Sequence, residues 1–210
     1  TAFFEDLKRR GLTDPLLAVT DGAPGLIRAV ETCFPRALRQ RCLVHRLRNL
    51  HSKAPDSQWP EIAIRARACY EAAAPALATL LRDDFVQVYG RELPAVVQCF
   101  TDDFEACIAH LRFPLRHRKV IRTTNLLERL FLEERRRTKI VPHAFGERPV
   151  LKLMYAAVIR AADRWRGISV GEFEQRQLRA IREELNRAHM ARIAPAVTAP
   201  KPAAVRKPRC

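Results

Sequence analysis

The sequence lacks an apolar run long enough to cross a membrane, since no window approaches the roughly 18 unbroken apolar residues that a span requires. Its first ten residues, TAFFEDLKRR, lack the cationic start, long apolar stretch and cleavage site of a secretory signal peptide. A regular cysteine framework is also absent, because the six cysteines stand at the irregular positions 33, 42, 69, 99, 107 and 210. We therefore expect a soluble cytoplasmic protein with free thiols in a reducing compartment.

Acidic residues are scarce compared with basic ones. The chain has 23 Asp and Glu against 38 Lys and Arg, which gives a formal net charge of +15 over 210 residues. Such a surplus attracts polyanions through phosphate contacts and counterion release, so nucleic acid is the leading class of partner. Charge alone leaves open a basic protein of another kind, such as a ribosome-associated one. The 48% hydrophobic content is enough for one ordinary core and a second small one.

The amino-terminal part has the pattern of a βαβ unit. The segment at 3–12 is helical in its spacing, and the apolar run PLLAVT at 15–20 suits a buried strand. Leu26, Ile27, Val30 and Phe34 recur at helical spacing after Pro24, and RQRCLVH at 39–45 is a second strand candidate. Strand, helix and strand in this order predict an α/β fold with helices packed over a sheet.

The rest of the chain is predicted to be helical. Ala-rich segments between Trp59 and Phe113 are broken at Pro75, Pro94 and Pro114, without a convincing strand, which indicates an all-helical insertion. Further helices are predicted at about 125–137, 147–165 and 170–191, before a tail rich in Pro, Ala and basic residues that we expect to be disordered. The predicted division is therefore 1–51, 52–115, 116–191 and the tail at 192–210.

Two stretches carry the chemistry-bearing residues: TDGAPGLIRAVETCFPRALRQRCLVHRLRNL at 20–50 and FPLRHRKVIRTTNLLERLFLEERRRTKIVPHAF at 113–145. They combine an Asp-Gly turn, a Cys-x-x-His pair, the string TTNLLER and a run of three arginines. In this order the motifs closely resemble the bacterial Mutator-like insertion-sequence transposases, over roughly residues 1–165. The resemblance implies a ribonuclease-H-like catalytic core with an all-α insertion before the last catalytic residue.

The resemblance also implies a triad of two aspartates and one glutamate that binds two Mg²⁺ ions. Asp21 matches the second aspartate and Glu128, 107 positions later, matches the glutamate. Two divalent ions require hard oxygen ligands and stabilise the attacking and leaving oxygens of in-line phosphoryl transfer. In such enzymes water first frees a 3′-OH, which then attacks target DNA. Taken alone, Asp21 before Gly22 is an ordinary turn residue, and Asn125 with Glu128 forms the pattern of a capping box.

Cys42 and His45 match the motif that the family carries beside the active site. A zinc site is the alternative, because Cys107 and His110 repeat the same spacing and would supply two further ligands. If residues 39–45 form a strand, His45 lies near the end of that strand. We expect it there to contact DNA or to orient a catalytic group. Cys107 and His110 are expected to be ordinary helix residues.

The helix that carries Glu128 is strongly basic. Between residues 112 and 139 there are ten Lys or Arg and three Glu. Arg135 returns to nearly the face of Glu128 after two turns and can hold a phosphate there. The other expected contacts to the DNA backbone are Arg122, Arg129, Arg136, Arg137 and Lys139. A solvated face is the alternative for this run, and Leu127, Leu130 and Phe131 are expected to pack into the core.

The chain departs from the family at its start, where nothing matches the first catalytic aspartate or the upstream region that reads the terminal inverted repeats. We expect a DDE transposase fragment whose Mg²⁺ site is incomplete and which is inactive alone. The whole protein is expected to act as a homo-oligomer that binds the ends of the element and target DNA. It is expected to be associated with the nucleoid in a bacterial cytoplasm and to have no membrane partner. The alternatives are a catalytically dead remnant that binds DNA or transposase, and an unrelated basic helical nucleic-acid-binding protein.

Overall fold

A computed structural model describes residues 1–139, 146–163 and 167–194. The predicted disordered tail therefore lies outside the described residues from position 195 onward. Within the described residues the elements follow one another as α1 (Ala2–Arg9), β1 (Leu17–Thr20), α2 (Pro24–Cys33), β2 (Leu38–Arg41), α3 (Leu43–His51), α4 (Trp59–Tyr70), α5 (Pro75–Tyr89), α6 (Pro94–Thr101), α7 (Phe104–Ile108), a 3₁₀ helix (Ala109–Arg112), α8 (Leu115–Ile121), α9 (Asn125–Thr138), α10 (Glu147–Ala162) and α11 (Glu172–Ile193).

The predicted βαβ unit is confirmed. Strands β1 and β2 pair in parallel, with Leu17 opposite Leu38 and Thr20 opposite Arg41, and α2 is the crossover between them. Pro24 stands in the first turn of α2, where its missing amide hydrogen leaves no helical bond unmade. Parallel strands end on the same side, so the residues that follow β1 and β2 share one edge of the sheet.

The second strand is shorter than predicted. It ends at Arg41, and the segment from Leu43 onward is helix α3 instead of strand. The expectation that His45 lies near the end of a strand is therefore wrong. The physical reason is the spacing of Leu43, Arg46 and Leu50, which are buried on one face of a helix.

The helical content predicted between Trp59 and Phe113 is confirmed, since every described element from Trp59 to Arg112 is a helix. Pro75 and Pro94 begin helices in the way that Pro24 does. Its core is aromatic, with the Phe85 and Phe100 rings 4.0 Å apart. Phe104 packs edge-on against Phe100 at 5.5 Å. These rings belong to one cluster of buried residues that also includes Leu43 and Leu50 of α3.

Ion pairs attach this helical segment to the strands. Arg39 of β2 binds both carboxylate oxygens of Asp103, whose backbone has a left-handed φ of 57°. These hydrogen bonds to Asp103 raise the pKa of Arg39, against the opposing effect of burial. Arg46 is buried and donates to the backbone oxygen of Asp102. The strands and the helical segment are thereby held in one arrangement, which fixes where the chain emerges into α8 and α9.

The two carboxy-terminal helices pack against different parts of the chain. Helix α10 packs on α9, and α11 reaches back, where Arg182 donates to the backbone oxygen of Asp14 at 2.8 Å. The predicted apolar stripe on α9 is only partly correct: Leu130 is buried, whereas Leu127 and Phe131 are about half exposed. Among the described residues, no helix combines the length and apolar content that crossing a bilayer would need.

Candidate functional site

Asp21 lies at the carboxyl end of β1. The amide of Cys42 donates to the Thr20 carbonyl at 2.7 Å, which continues the ladder just before Asp21. Asp21 is exposed, and its Oδ1 accepts the backbone amide of Ala23 at 3.0 Å. The turn that the Asp-Gly pair predicted is thus present, and the carboxylate that closes it faces solvent.

Gly22 is required by two features of this turn. Its φ of 97° lies in the left-handed region, and a Cβ there would stand 2.5 Å from Nε of Arg41. Arg41 is largely buried and reaches Asp103 at 3.5 Å and Asp102 at 3.6 Å. The Arg41 guanidinium therefore packs directly over the turn that presents Asp21.

Thr124 joins the start of α9 to the end of β2. Its amide and its hydroxyl each lie 3.3 Å from Sγ of Cys42. The same hydroxyl lies 2.7 Å from Oε1 of Glu128, so its single hydrogen serves one acceptor at a time. The amide of Leu43 also donates to the Arg122 carbonyl at 3.0 Å. Thr124 is not among the site residues predicted from the sequence. Its position directly before the predicted helix is the one sequence feature that points to a role at the helix start.

These contacts form a continuous path from Thr20 through Cys42 and Thr124 to Glu128. They bring the elements that carry Asp21 and Glu128 to one end of the parallel strands, although 107 positions separate the two residues. The capping box of Asn125 and Glu128 does not form, because Asn125 is already inside the helix and Thr124 is the residue that precedes it. Glu128 turns back to the Thr124 hydroxyl and keeps 40% of its side chain exposed.

Cys42 and His45 both face Glu128. Cys42 is fully buried, and burial by itself raises the pKa of its thiol; hydrogen bonds from Thr124 and then contacts with His45 outweigh burial and lower that pKa. Nδ1 of His45 lies 3.9 Å from Oε1 of Glu128 and is shielded from solvent without a hydrogen-bond partner among the described residues. The potential ligand atoms of Cys42, His45 and Glu128 all lie within 4.8 Å of one another, a group that does not include Asp21.

Cys107 and His110 belong to the core, as expected for ordinary helix residues. His110 lies in the 3₁₀ helix, with Nε2 3.0 Å from the Tyr70 carbonyl and its amide donating to the Gln40 side chain at 2.7 Å. Burial raises the pKa of Cys107 to about 12 and lowers that of His110 to about 4. In the described chain they do not join the group formed by Cys42 and His45. All five described cysteines are free thiols.

The low pKa of His110 makes the stability of the fold dependent on pH. Below the ordinary value of 6.5 the unfolded chain binds a proton that buried His110 refuses until about pH 4, so stability falls across this window. The loss amounts to about 3 kcal/mol by pH 4. Urea unfolding at several pH values should show a shallower decline in the His110→Gln variant, and equal declines in both proteins would contradict this account.

The basic residues of α9 fall into two groups. Arg129, Arg135 and Lys139 are exposed and have no ion pair within the part of the chain that the structure describes. Arg135 lines a surface cavity of about 240 Å³ together with Glu128, which supports the predicted common face.

The remaining predicted contacts to DNA are already paired with carboxylates. Arg137 and Arg136 lie 2.7 Å and 3.8 Å from Glu133, and Arg122 binds Glu71 at 3.0 Å. Their charges are therefore partly neutralised, whereas those of the first group remain available to an anion.

The chain is similar to transposases both in a comparison with family models and in a comparison with curated proteins. The family model described as "Transposase, Mutator family" matches residues 1–167. The chain is 33% identical over 164 residues to the transposase for insertion sequence element IS6120 of Mycolicibacterium smegmatis, covering 78% of this chain and 51% of that protein. It is 33% identical over 168 residues to the transposase for insertion sequence element IST2 of Acidithiobacillus ferrooxidans, covering 80% and 57%. The chain thus spans about half the length of these curated relatives.

Proposed function

Since the chain belongs to the Mutator family of transposases, we propose that its described residues form part of the catalytic centre of a DDE transposase with a ribonuclease-H-like core. In this proposal Asp21 and Glu128 are two of the three catalytic carboxylates. The complete enzyme moves an insertion sequence by Mg²⁺-dependent DNA cleavage and strand transfer.

The observation that carries the proposal is the hydrogen-bonded path between the two distant carboxylate-bearing segments. Asp21 follows Thr20, whose carbonyl binds the Cys42 amide, while Glu128 binds Thr124, which in turn contacts the Cys42 thiol. This path brings the segments that carry the two carboxylates to the same end of the parallel strands. In open sheets with parallel strands, this carboxyl edge is where ligands usually bind.

The donor set at this edge fits a hard divalent cation. Asp21 and Glu128 offer carboxylate oxygens, are accessible to solvent, and are the residues that would hold Mg²⁺. When bound, a pair of such ions would stabilise the attacking and leaving oxygens of the transferred phosphoryl group. The contribution of the chain itself is positioning: the Ala23 amide orients the Asp21 carboxylate, and the Thr124 hydroxyl orients that of Glu128.

DNA is proposed to lie along α9. Arg135 shares a cavity with Glu128 and is placed to hold a phosphate beside the scissile bond, and Arg129 and Lys139 extend the unpaired positive charge. Phosphate contacts of this kind fix the register of the duplex and carry no sequence information directly. Recognition of inverted repeats is proposed to come from parts of the whole protein beyond these residues.

Experiments on the isolated 210-residue chain can test DNA binding by α9 separately from DNA cleavage at the carboxylates. We expect it to retain duplex DNA in a gel-shift assay and to produce no Mg²⁺-dependent nicks, because two carboxylates of a triad hold two metal ions poorly. An Asp21→Asn chain sets the background of the nicking assay. Nicking above that background would overturn the three-carboxylate assignment, and failure to retain DNA would overturn the proposed role of α9.

A further inference from the structure

A second group of potential metal ligands, Cys42 and His45 with Glu128, lies at this end of the strands. We propose that Sγ of Cys42, Nδ1 of His45 and Oε1 of Glu128 bind one thiophilic divalent cation, Zn²⁺, with water in the fourth position. This site differs from the Cys₂His₂ arrangement that the sequence suggested, because Cys107 and His110 take no part in it. Binding of the cation does not depend on the proposed transposase chemistry.

The geometry is close to that of a tetrahedral zinc centre. The three ligand atoms lie within 4.8 Å of one another, and His45 Nδ1 and Glu128 Oε1 are 3.9 Å apart. Zinc bonds of about 2.0 Å to nitrogen and oxygen and about 2.3 Å to sulfur place neighbouring ligand atoms roughly 3.3–3.5 Å apart. The three ligand atoms must therefore approach one another by at most about 1.5 Å to close the site.

The imidazole of His45 has an unmet bonding requirement at the proposed ligand atom. Its Nδ1 is shielded from solvent and makes no hydrogen bond of normal geometry within the described chain, although the ring interacts with the Cys42 sulfur. A bound cation would satisfy that nitrogen. The ring and the Glu128 side chain are 32% and 40% exposed, so a cation can enter from their side and reach the buried Cys42.

Thr124 supplies the outer support that a metal-bound thiolate requires. Its amide lies 3.3 Å from Sγ of Cys42 and donates to it, while its hydroxyl, also 3.3 Å from that sulfur, shares its hydrogen between the sulfur and Glu128. Donors of this kind orient a metal ligand and stabilise its charge. On binding, the Cys42 thiol loses its proton to solvent and the sulfur becomes a thiolate ligand.

The combination of Cys42, His45 and Glu128 favours Zn²⁺ over Mg²⁺. Sulfur and imidazole nitrogen suit Zn²⁺, whereas Mg²⁺ takes oxygen ligands in octahedral geometry. Glu128 belongs to both sites, so bound Zn²⁺ would withdraw one of its oxygens from a catalytic Mg²⁺. That consequence alone rests on the proposed function, and it would make zinc an inhibitor of DNA cleavage.

Cobalt serves as the probe, because Co²⁺ replaces Zn²⁺ and reports its ligands optically. Titration of the 210-residue chain with Co²⁺ should produce the near-ultraviolet band of a cobalt–thiolate bond and the visible bands of tetrahedral Co²⁺, with one equivalent bound and displaced by Zn²⁺. Cys42→Ser should remove the thiolate band. His45→Ala and Glu128→Gln, at partly exposed positions, should each weaken Co²⁺ binding by about 10-fold or more.

Two controls separate this site from other thiols and from the proposed magnesium centre. Cys99→Ser, at a half-buried free thiol, and Asp21→Asn should both leave the cobalt spectrum unchanged. Circular dichroism establishes that each variant is folded. A thiolate band that persists in Cys42→Ser, the absence of any band in the folded wild-type chain, or wild-type affinity in both His45→Ala and Glu128→Gln would overturn the proposal.

Discussion

Replacing Asp21 with Asn, or Glu128 with Gln, in a transposase that contains this segment is expected to slow DNA cleavage by about 10³-fold or more. The loss of one metal-binding carboxylate removes several kcal/mol of transition-state stabilisation, and about 4 kcal/mol corresponds to that factor. Cleavage of end-labelled DNA that carries the inverted repeat, followed in single-turnover reactions, measures the effect.

These two substitutions also separate catalysis from structure. Asn at position 21 can still accept the Ala23 amide, and Gln at position 128 can still accept the Thr124 hydroxyl, so both the turn and the helix start are preserved. A purely structural role therefore predicts near-native rates. Asp56→Asn, at a fully exposed loop position, and Glu134→Gln, on the same helix as Glu128, are the matched controls. Rates like those of the controls would contradict the catalytic assignment.

Removing two unpaired charges from α9 is expected to weaken DNA binding strongly. For the chain with Arg129→Ala and Arg135→Ala together, we expect affinity to fall about 10- to 100-fold at low salt, because two phosphate contacts are lost. The slope of log affinity against log salt concentration should become shallower by about 2, since each contact contributes about 0.9. Fluorescence anisotropy with labelled duplexes at several salt concentrations measures both quantities.

The control is a chain that loses the same charge elsewhere. Arg67 and Arg91 are exposed arginines of the helical segment and have no ion pair in the part of the chain described. Their double alanine variant should keep nearly the wild-type affinity and slope. An equal loss in both double variants would show that overall charge, and not the surface of α9, determines DNA binding.

Local sequence patterns predicted most of the helices. Pro24 and the spacing of Leu26, Ile27 and Val30 place α2 correctly, and the βαβ order gives two parallel strands. The same reasoning failed after Arg41, because a short apolar run such as CLVH suits a strand and a helix equally well. Burial of Leu43, Arg46 and Leu50 on one face of α3 resolves that ambiguity, and Arg46 binds the backbone oxygen of Asp102, 56 positions away.

Local sequence patterns also could not predict the contacts that hold the strands, the helical segment and α9 together, because these contacts join residues far apart in the chain. Arg39 and Asp103 are 64 positions apart, and nothing in either neighbourhood indicates that they pair. Resemblance to a family identifies Asp21 and Glu128 as candidate catalytic residues. It does not identify Thr124, which connects Glu128 to the end of β2. Likewise, Leu127 and Phe131 have helical spacing suited to a core, but their exposure depends on which neighbours cover them.

Asp21 and Glu128 are proposed to hold one metal centre, and Mn²⁺ binding tests this most directly. Mn²⁺ takes the same oxygen ligands as Mg²⁺ and broadens the NMR signals of nearby amides, so that even weak binding is located. Broadening should appear together at residues 21–23 and 124–128 and should disappear in both Asp21→Asn and Glu128→Gln. Broadening that is centred on other carboxylates, or that survives at one of the two segments when the other carboxylate is replaced, would contradict a shared site.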